Sequence, residues 1–241
     1  MTSEHPPAAE STGRATTVVG VDGCRGGWIT VEWSIDAGEL QADRVDDLAP
    51  LIDRLRSGDL QAMAVDMPMG LLDRQPRTCD TQARKLLGPR RSSIFPTPVR
   101  ATLGARDYRH ACQLSAAVSG KALSKQAFNL LPKIRELDQL IEPADQDRLV
   151  EAHPECAFVR LAGRPLEHPK RTEAGRAQRR LLLHGHDPSF GALLDHRSDL
   201  PVLDLIDAAV LAITAARVAT GTERRLISAV DRRGLVAQIV Y

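Results

Sequence analysis

Val18-Val19-Gly20-Val21-Asp22, echoed by Ala62-Met63-Ala64-Val65-Asp66, decides how this chain is read. Each run is too short for a globular helix, carries β-branched valine and stops at a turn containing Gly or Pro. Both are therefore expected to be buried strands of a parallel sheet. Ligands of open α/β sheets bind outside the carboxyl ends of the strands. If the two runs are neighbours, Asp22 and Asp66 face each other across one crevice, and paired carboxylates attract a divalent cation.

The flanking sequence supports that arrangement. A Gly-rich turn, Gly23-Cys24-Arg25-Gly26-Gly27, leads into Trp28 to Trp33, whose alternation predicts an antiparallel return strand, and Glu39 to Val45 predicts a third. Asp46 or Asp47 is expected to cap a helix running to about Arg56, with Leu48, Leu51, Ile52 and Leu55 on one face. From about residue 70 to 147 the pattern changes to helical segments punctuated by Pro and Gly. Between Gly70 and Arg135 thirteen Lys or Arg stand against three acids, whereas from Glu136 to Glu155 seven acids face only Arg148. So long a stretch needs structure of its own and is expected to form a helical cap over the crevice.

Strand character returns at Arg148 to His153, and a strongly apolar helix is predicted from Val202 to about Thr220. Leu226–Val230, the turn Asp231–Gly234 and Leu235–Val240 read as a closing hairpin. Residues 1–16, rich in Pro, Ala, Ser, Thr and Glu, are expected to be a disordered tail ahead of one domain spanning 17–241.

Composition sets bounds on function. Apolar residues make up 43% of the 241 positions but aromatics only 3%, so the core must be aliphatic. A net charge of +1 rules out a whole-molecule polycation and leaves room for a local basic groove. The four cysteines are far apart with no C-x-x-C pair, which predicts a reducing, cytoplasmic setting rather than a disulfide or zinc framework. No apolar run reaches membrane-spanning length, and no secretory leader pattern opens the chain.

Several other acids join the first pair. Glu151, His153 and Glu155 are spaced by two, which places them on one face of an extended segment as far as Pro154 allows. Asp204 and Asp207 lie one turn apart on the late helix. Acids from two neighbouring strands and a helix make a cluster that Mg²⁺ or Mn²⁺ can occupy, and such ions support phosphodiester hydrolysis. Each acid also has a plain alternative: strand-end aspartates cap turns, and Asp204 and Asp207 suit a helix start. The Gly-rich turn after the first strand also resembles the phosphate-binding hairpin of actin-like kinases. The basic residues of the cap, with few interleaved aromatics, suit a phosphate backbone better than base stacking.

VVGVDGCRGGW, VDMPMGL, CDTQAR through LGPRRSSIFPTPVR, GKALSKQAFNLLPKIRELD, EAHPECAF, KRTEAGRAQRRLLL and DLIDAAVLAITA together resemble the family of unknown function numbered 429, described as predicted nucleases of RNase H-like fold. The resemblance covers about residues 17 to 241. It implies an α/β fold: a five-stranded mixed sheet with first and fourth strands adjacent, flanked by helices, with a large helical insertion after strand 4. The metal-binding acids it implies are Asp22, Asp66 and Asp207, with Asp204 as the alternative on the same helix, and Glu151 and Glu155 match its E-x-H-P-E pattern. Phe128, where tryptophan is usual, and Met67 and Met69, where branched aliphatics are, depart from it.

The expected activity is Mg²⁺- or Mn²⁺-dependent cleavage of DNA or RNA. Asp22, Asp66, Glu151 and Asp207 are the candidate catalytic groups, and Asp204 and Glu155 further metal ligands. Arg25, Lys125, Lys133, Arg135, His153 and Lys170 are the candidate substrate contacts, and a homodimer would suit branched substrates. A non-catalytic nucleic-acid binder and an actin-like phosphotransferase are the competing expectations.

Overall fold

The computed structural model describes residues 15–74 and 76–241, so the tail expected over residues 1–16 falls almost wholly outside the described residues. Three strands form an antiparallel meander: β1 (Thr17–Cys24), β2 (Gly27–Ser34) and β3 (Glu39–Val45). Helix α1 (Ala49–Ser57) then crosses back to β4 (Ala62–Val65), which pairs parallel with β1, and β5 (Leu149–Glu151) pairs parallel with β4. The order is β3-β2-β1-β4-β5, so the first and fourth strands are neighbours as the strand-end aspartates require.

Period-two alternation sorts the side chains onto two faces. Val19 and Val21 of β1, Met63 and Val65 of β4, and Leu149 of β5 pack with Leu51, Ile52 and Leu55 of α1. Val18, Ala62, Ala64 and Val150 pack against the opposite layer of helices. That layer comprises α5 (Pro154–Ala162), α6 (Glu173–His186), α7 (Pro188–His196) and α8 (Val202–Thr220). α8 is apolar on nearly every side because the sheet lies under it and other helices over it. It approaches β1 so closely at Gly20 that a Cβ there would lie 2.1 Å from both Ala208 O and Ala212 N.

The insertion carries α2 (Thr78–Leu87), α3 (Tyr108–Ser119) and α4 (Lys125–Leu140), with no strand between β4 and β5 among the described residues. α4 packs Ile134 and Leu137 onto the α1 side of the sheet. Its Glu136 accepts hydrogen bonds from the Trp28 indole (3.0 Å) and the Leu48 N–H (3.2 Å). Glu136 thus does part of the capping assigned above to Asp46 or Asp47. The N-cap is Leu48, without a side-chain cap, and Asp47 accepts from Ala49 N–H instead. The closing hairpin forms as expected, β6 (Arg225–Val230) with β7 (Val236–Val240), and an Ala152–Val240 bridge joins it to the end of β5.

One helix differs from the sequence reading. The segment stays extended through His153, as expected, but turns into α5 at Pro154, whose missing N–H and fixed φ suit the first helical turn, so Glu155 leaves the extended face it was expected to share with Glu151 and His153. His153 caps that helix, its Nδ1 accepting from Glu155 N–H at 3.2 Å. Lys170 and Arg171 lie in the turn that precedes α6, the helix that carries Arg176, Arg179 and Arg180.

Candidate active site

Asp22 continues the series Val18, Gly20 along β1, and Asp66 continues Ala62, Ala64 along β4, so both carboxyls project on the α8 side. Asp66 N–H donates to Val21 O at 2.9 Å, which fixes the two strand ends in register. The two carboxyls lie within hydrogen-bonding reach of each other. Asp22 is 7% exposed and Asp207, on the α8 face turned to β1 and β4, only 1%. Burial drives Asp22 well above the usual carboxylate range, and the charges of Asp66, Asp207 and Asp204 push it further the same way. Burial likewise raises Asp66, Asp204 and Asp207, the last to about 6. These mutual effects show that acids from β1, β4 and α8 converge in one place.

One ammonium sits among them. Lys170 Nζ donates to Asp207 Oδ2 at 2.5 Å, and Asp207, Asp66 and Asp22 hold this lysine protonated against the cost of its burial. The other oxygen of Asp207, Oδ1, is buried without a hydrogen-bond partner. His153 lies close enough to Asp66 to lower its carboxyl. Because His153 Nδ1 accepts from Glu155 N–H, the ring proton resides on Nε2, which faces Ser93 O at 3.4 Å. Glu155, in the first turn of α5, is gripped by the fully buried Arg179.

The cluster lies at the floor of a crevice of about 700 Å³, a volume usual for small-ligand sites. Asp22, Asp66, Asp204, Glu155, His153 and Lys170 line it, joined by Arg171 and, from the insertion, Ser92, Ser93, Thr97 and Gln126. The hydroxyl-bearing loop and Arg171 lie within the quoted stretches LGPRRSSIFPTPVR and KRTEAGRAQRRLLL, but the sequence reading gave them no place in the site, since only the fold brings them to the crevice.

The remaining candidates stand elsewhere or are already engaged. Glu151 follows Leu149 on β5, so it starts from the α1 face of the sheet, and it reaches the edge of the crevice that His153 and Glu155 also line. There it accepts two hydrogen bonds from the buried Arg77 guanidinium (2.7 and 2.5 Å) and one from Met69 N–H (2.7 Å). Burial pushes Glu151 up to about 7 despite Arg77. Its oxygens hold the loop after β4 in place and only border the crevice. Lys125 lies over the rings of Tyr108 (4.6 Å) and Phe128 (4.9 Å), outside the crevice lining. Lys133 donates to Gly27 O and covers the Trp28 ring at 4.1 Å. Arg135 binds Leu103 O, and Arg25 is exposed on the β1–β2 turn.

Part of the basic excess of the insertion is spent inside the protein, while Arg74, Lys85, Arg91, Arg106, Arg109, Lys121 and Lys125 are exposed. Arg77 pairs with Glu151 and Asp80, Arg100 with Asp138 and Asp231, and Arg84 and Arg90 bind backbone carbonyls. These cross-ties account for part of the charge inversion along the chain.

Hard carboxylate oxygens, one of them orphaned, are the donor set a small divalent cation takes. Among the described residues, however, no group of three His, Cys, Asp or Glu side chains is arranged so that it could hold a metal ion. The residues suit such an ion by the chemistry of their carboxylates and by the buried, unpartnered Asp207 oxygen, not by a preformed arrangement.

A mixed sheet with carboxylates gathered at the ends of two parallel strands defines an α/β protein whose site sits where strand termini meet a helix start. Residues 20–232 match the family described as Protein of unknown function (DUF429), and the chain belongs to it. No curated protein and no solved structure matches the chain. No helix among the described residues is long and apolar enough to cross a membrane.

Proposed function

We propose that the crevice hydrolyses phosphodiester bonds of nucleic acid, using Mg²⁺ or Mn²⁺ held by Asp22, Asp66 and Asp207, with Asp204 and Glu155 beside them. The observation that carries this reading is the crowding of four aspartates, Asp22 and Asp207 buried and Asp66 and Asp204 half-buried, against a single ammonium, a surplus of negative charge that the site tolerates poorly without a further cation. When bound, the ion would lower the pKa of a water and neutralise charge on phosphate oxygens.

The chain's own residues account for the rest. Hydrolysis adds water across a P–O bond, so the attacking oxygen sheds a proton and the leaving oxygen gains one. His153, with its proton on Nε2 and its capping bond to α5, is fixed beside Asp66 at the crevice wall. Arg171 and the Ser92, Ser93 and Thr97 hydroxyls offer donors for phosphate oxygens. Arg179 orients Glu155, and Glu151 with Arg77 holds the loop that follows Asp66. These two arginines are positioning residues.

Cleavage of single-stranded, duplex, hybrid and branched DNA and RNA with added Mg²⁺ or Mn²⁺ tests the proposal. Wild-type protein is expected to cut at least one of them and Asp22→Asn none. Equal behaviour of the two proteins on every substrate rejects it.

A further inference from the structure

Lys170 is not a loose surface lysine. The turn that carries it is tied down along its length: Arg90 donates to Leu166 O and Glu167 O, and Arg179 donates to His168 O at 3.2 Å. Thr172 donates to Pro169 O through both N–H (3.0 Å) and Oγ1 (2.8 Å). Gly175 lies so close that a Cβ there would stand 1.9 Å from Pro169 O, which leaves this turn no slack. Two arginines and a helix start therefore aim one ammonium at the acid cluster. It meets Asp207 Oδ2 at 2.5 Å and leaves Oδ1 of the same carboxylate buried and unpartnered.

Carboxylate sites that cleave phosphodiesters often use two divalent ions about 4 Å apart, one for the attacking oxygen and one for the leaving oxygen. Here one oxygen of Asp207, Oδ2, already carries a cation of the chain itself. We propose that the Lys170 ammonium permanently fills one of two cation positions in this cluster, so that the crevice takes one divalent ion per chain. A lysine is suited to such a post: it is a compact point charge with three donors, able to serve Asp207 and a substrate phosphate oxygen together. The inference rests on the metal-dependent reading above and specifies its stoichiometry.

Isothermal titration of Mn²⁺ into the chelator-stripped full chain tests it, with melting temperature as a second readout. Wild type is expected to bind one Mn²⁺ per chain and Lys170→Arg also one. Lys170→Met is expected to bind two, to melt lower than wild type without ion, and to gain more from Mn²⁺. Two ions in wild type, or one in a folded Lys170→Met, overturns the assignment of Lys170 and leaves the metal-dependent reading standing. No ion in wild type removes that reading and this inference with it. Should Lys170→Met not fold, the wild-type and Lys170→Arg counts decide alone.

Discussion

Gly20 shows how much of the site depends on one missing methyl group. Strand β1 and helix α8 touch backbone to backbone there, and that contact sets how far Asp207 stands from Asp22. Gly20→Ala must push α8 away from the sheet and is expected to cost about 3 kcal/mol or more, the upper range of overpacking, measured by urea unfolding. Any folded fraction should show weakened Mn²⁺ binding. Arg77 is the counterpart on the other face. Arg77→Met leaves Glu151 buried without its partner and is expected to destabilise by about 3 kcal/mol, the low end for a broken buried pair, because Glu151 can relieve part of the cost by taking a proton. Unchanged stability in that variant would remove the positioning role assigned to Glu151. At this scale Asp22 and Asp66 were legible because an apolar run ends at each. Glu151 was not, since a strand of three residues gives too little alternation to show which face its last residue takes.

Among the elements, β3, α8 and the closing hairpin follow their sequence patterns nearly to the residue, since each has a clear period and a clear turn, whereas β1 runs on through Gly23 and Cys24, read above as turn, because both pair with β2. α5 does not, because EAHPECAF combines an extended start with a Pro that can either break a helix or open one. What decides is His153, whose ring supplies the cap. His153→Ala is expected to cost about 1 kcal/mol as a lost N-cap, and to lower cleavage more than that stability loss explains. Thermal unfolding compared with turnover on one substrate separates the two effects, and a proportional fall in both would confine His153 to capping.

For the molecule as a whole, the acid cluster predicts how stability responds to pH. Asp22, Asp66, Asp204, Asp207 and Glu151 all have raised carboxyls when folded, so the native state binds their protons more tightly than the unfolded chain does. Their contribution is complete below the ordinary values of 3.8 and 4.5. It fades as pH climbs past about 6 for Asp207 and about 7 for Glu151. Ion-free protein is expected to melt lower at pH 8 than at pH 5, with Mn²⁺ shrinking the gap. An Asp22→Asn/Asp66→Asn double variant should show a smaller gap without ion, and an equal gap in both proteins would mean these acids do not set it. The charge pattern of the insertion divides at this scale between exposed cations and internal ion pairs. Ion pairs between residues far apart in sequence, such as Arg100 with Asp231, have no local periodicity to betray them.

Asp231 also accepts from Leu71 N–H at 3.1 Å, and Gly70, at φ +68°, presses against the backbone of Val236 and Ala237. The loop that follows Asp66 is therefore braced by residues some 160 positions later in the chain. During synthesis on a ribosome, everything up to α8 can emerge while that brace is still missing, and loop closure over such a distance is slow. A nascent chain would carry its acids on an unsupported rim until β6 and β7 have emerged and paired, so docking of that hairpin is what arms the crevice.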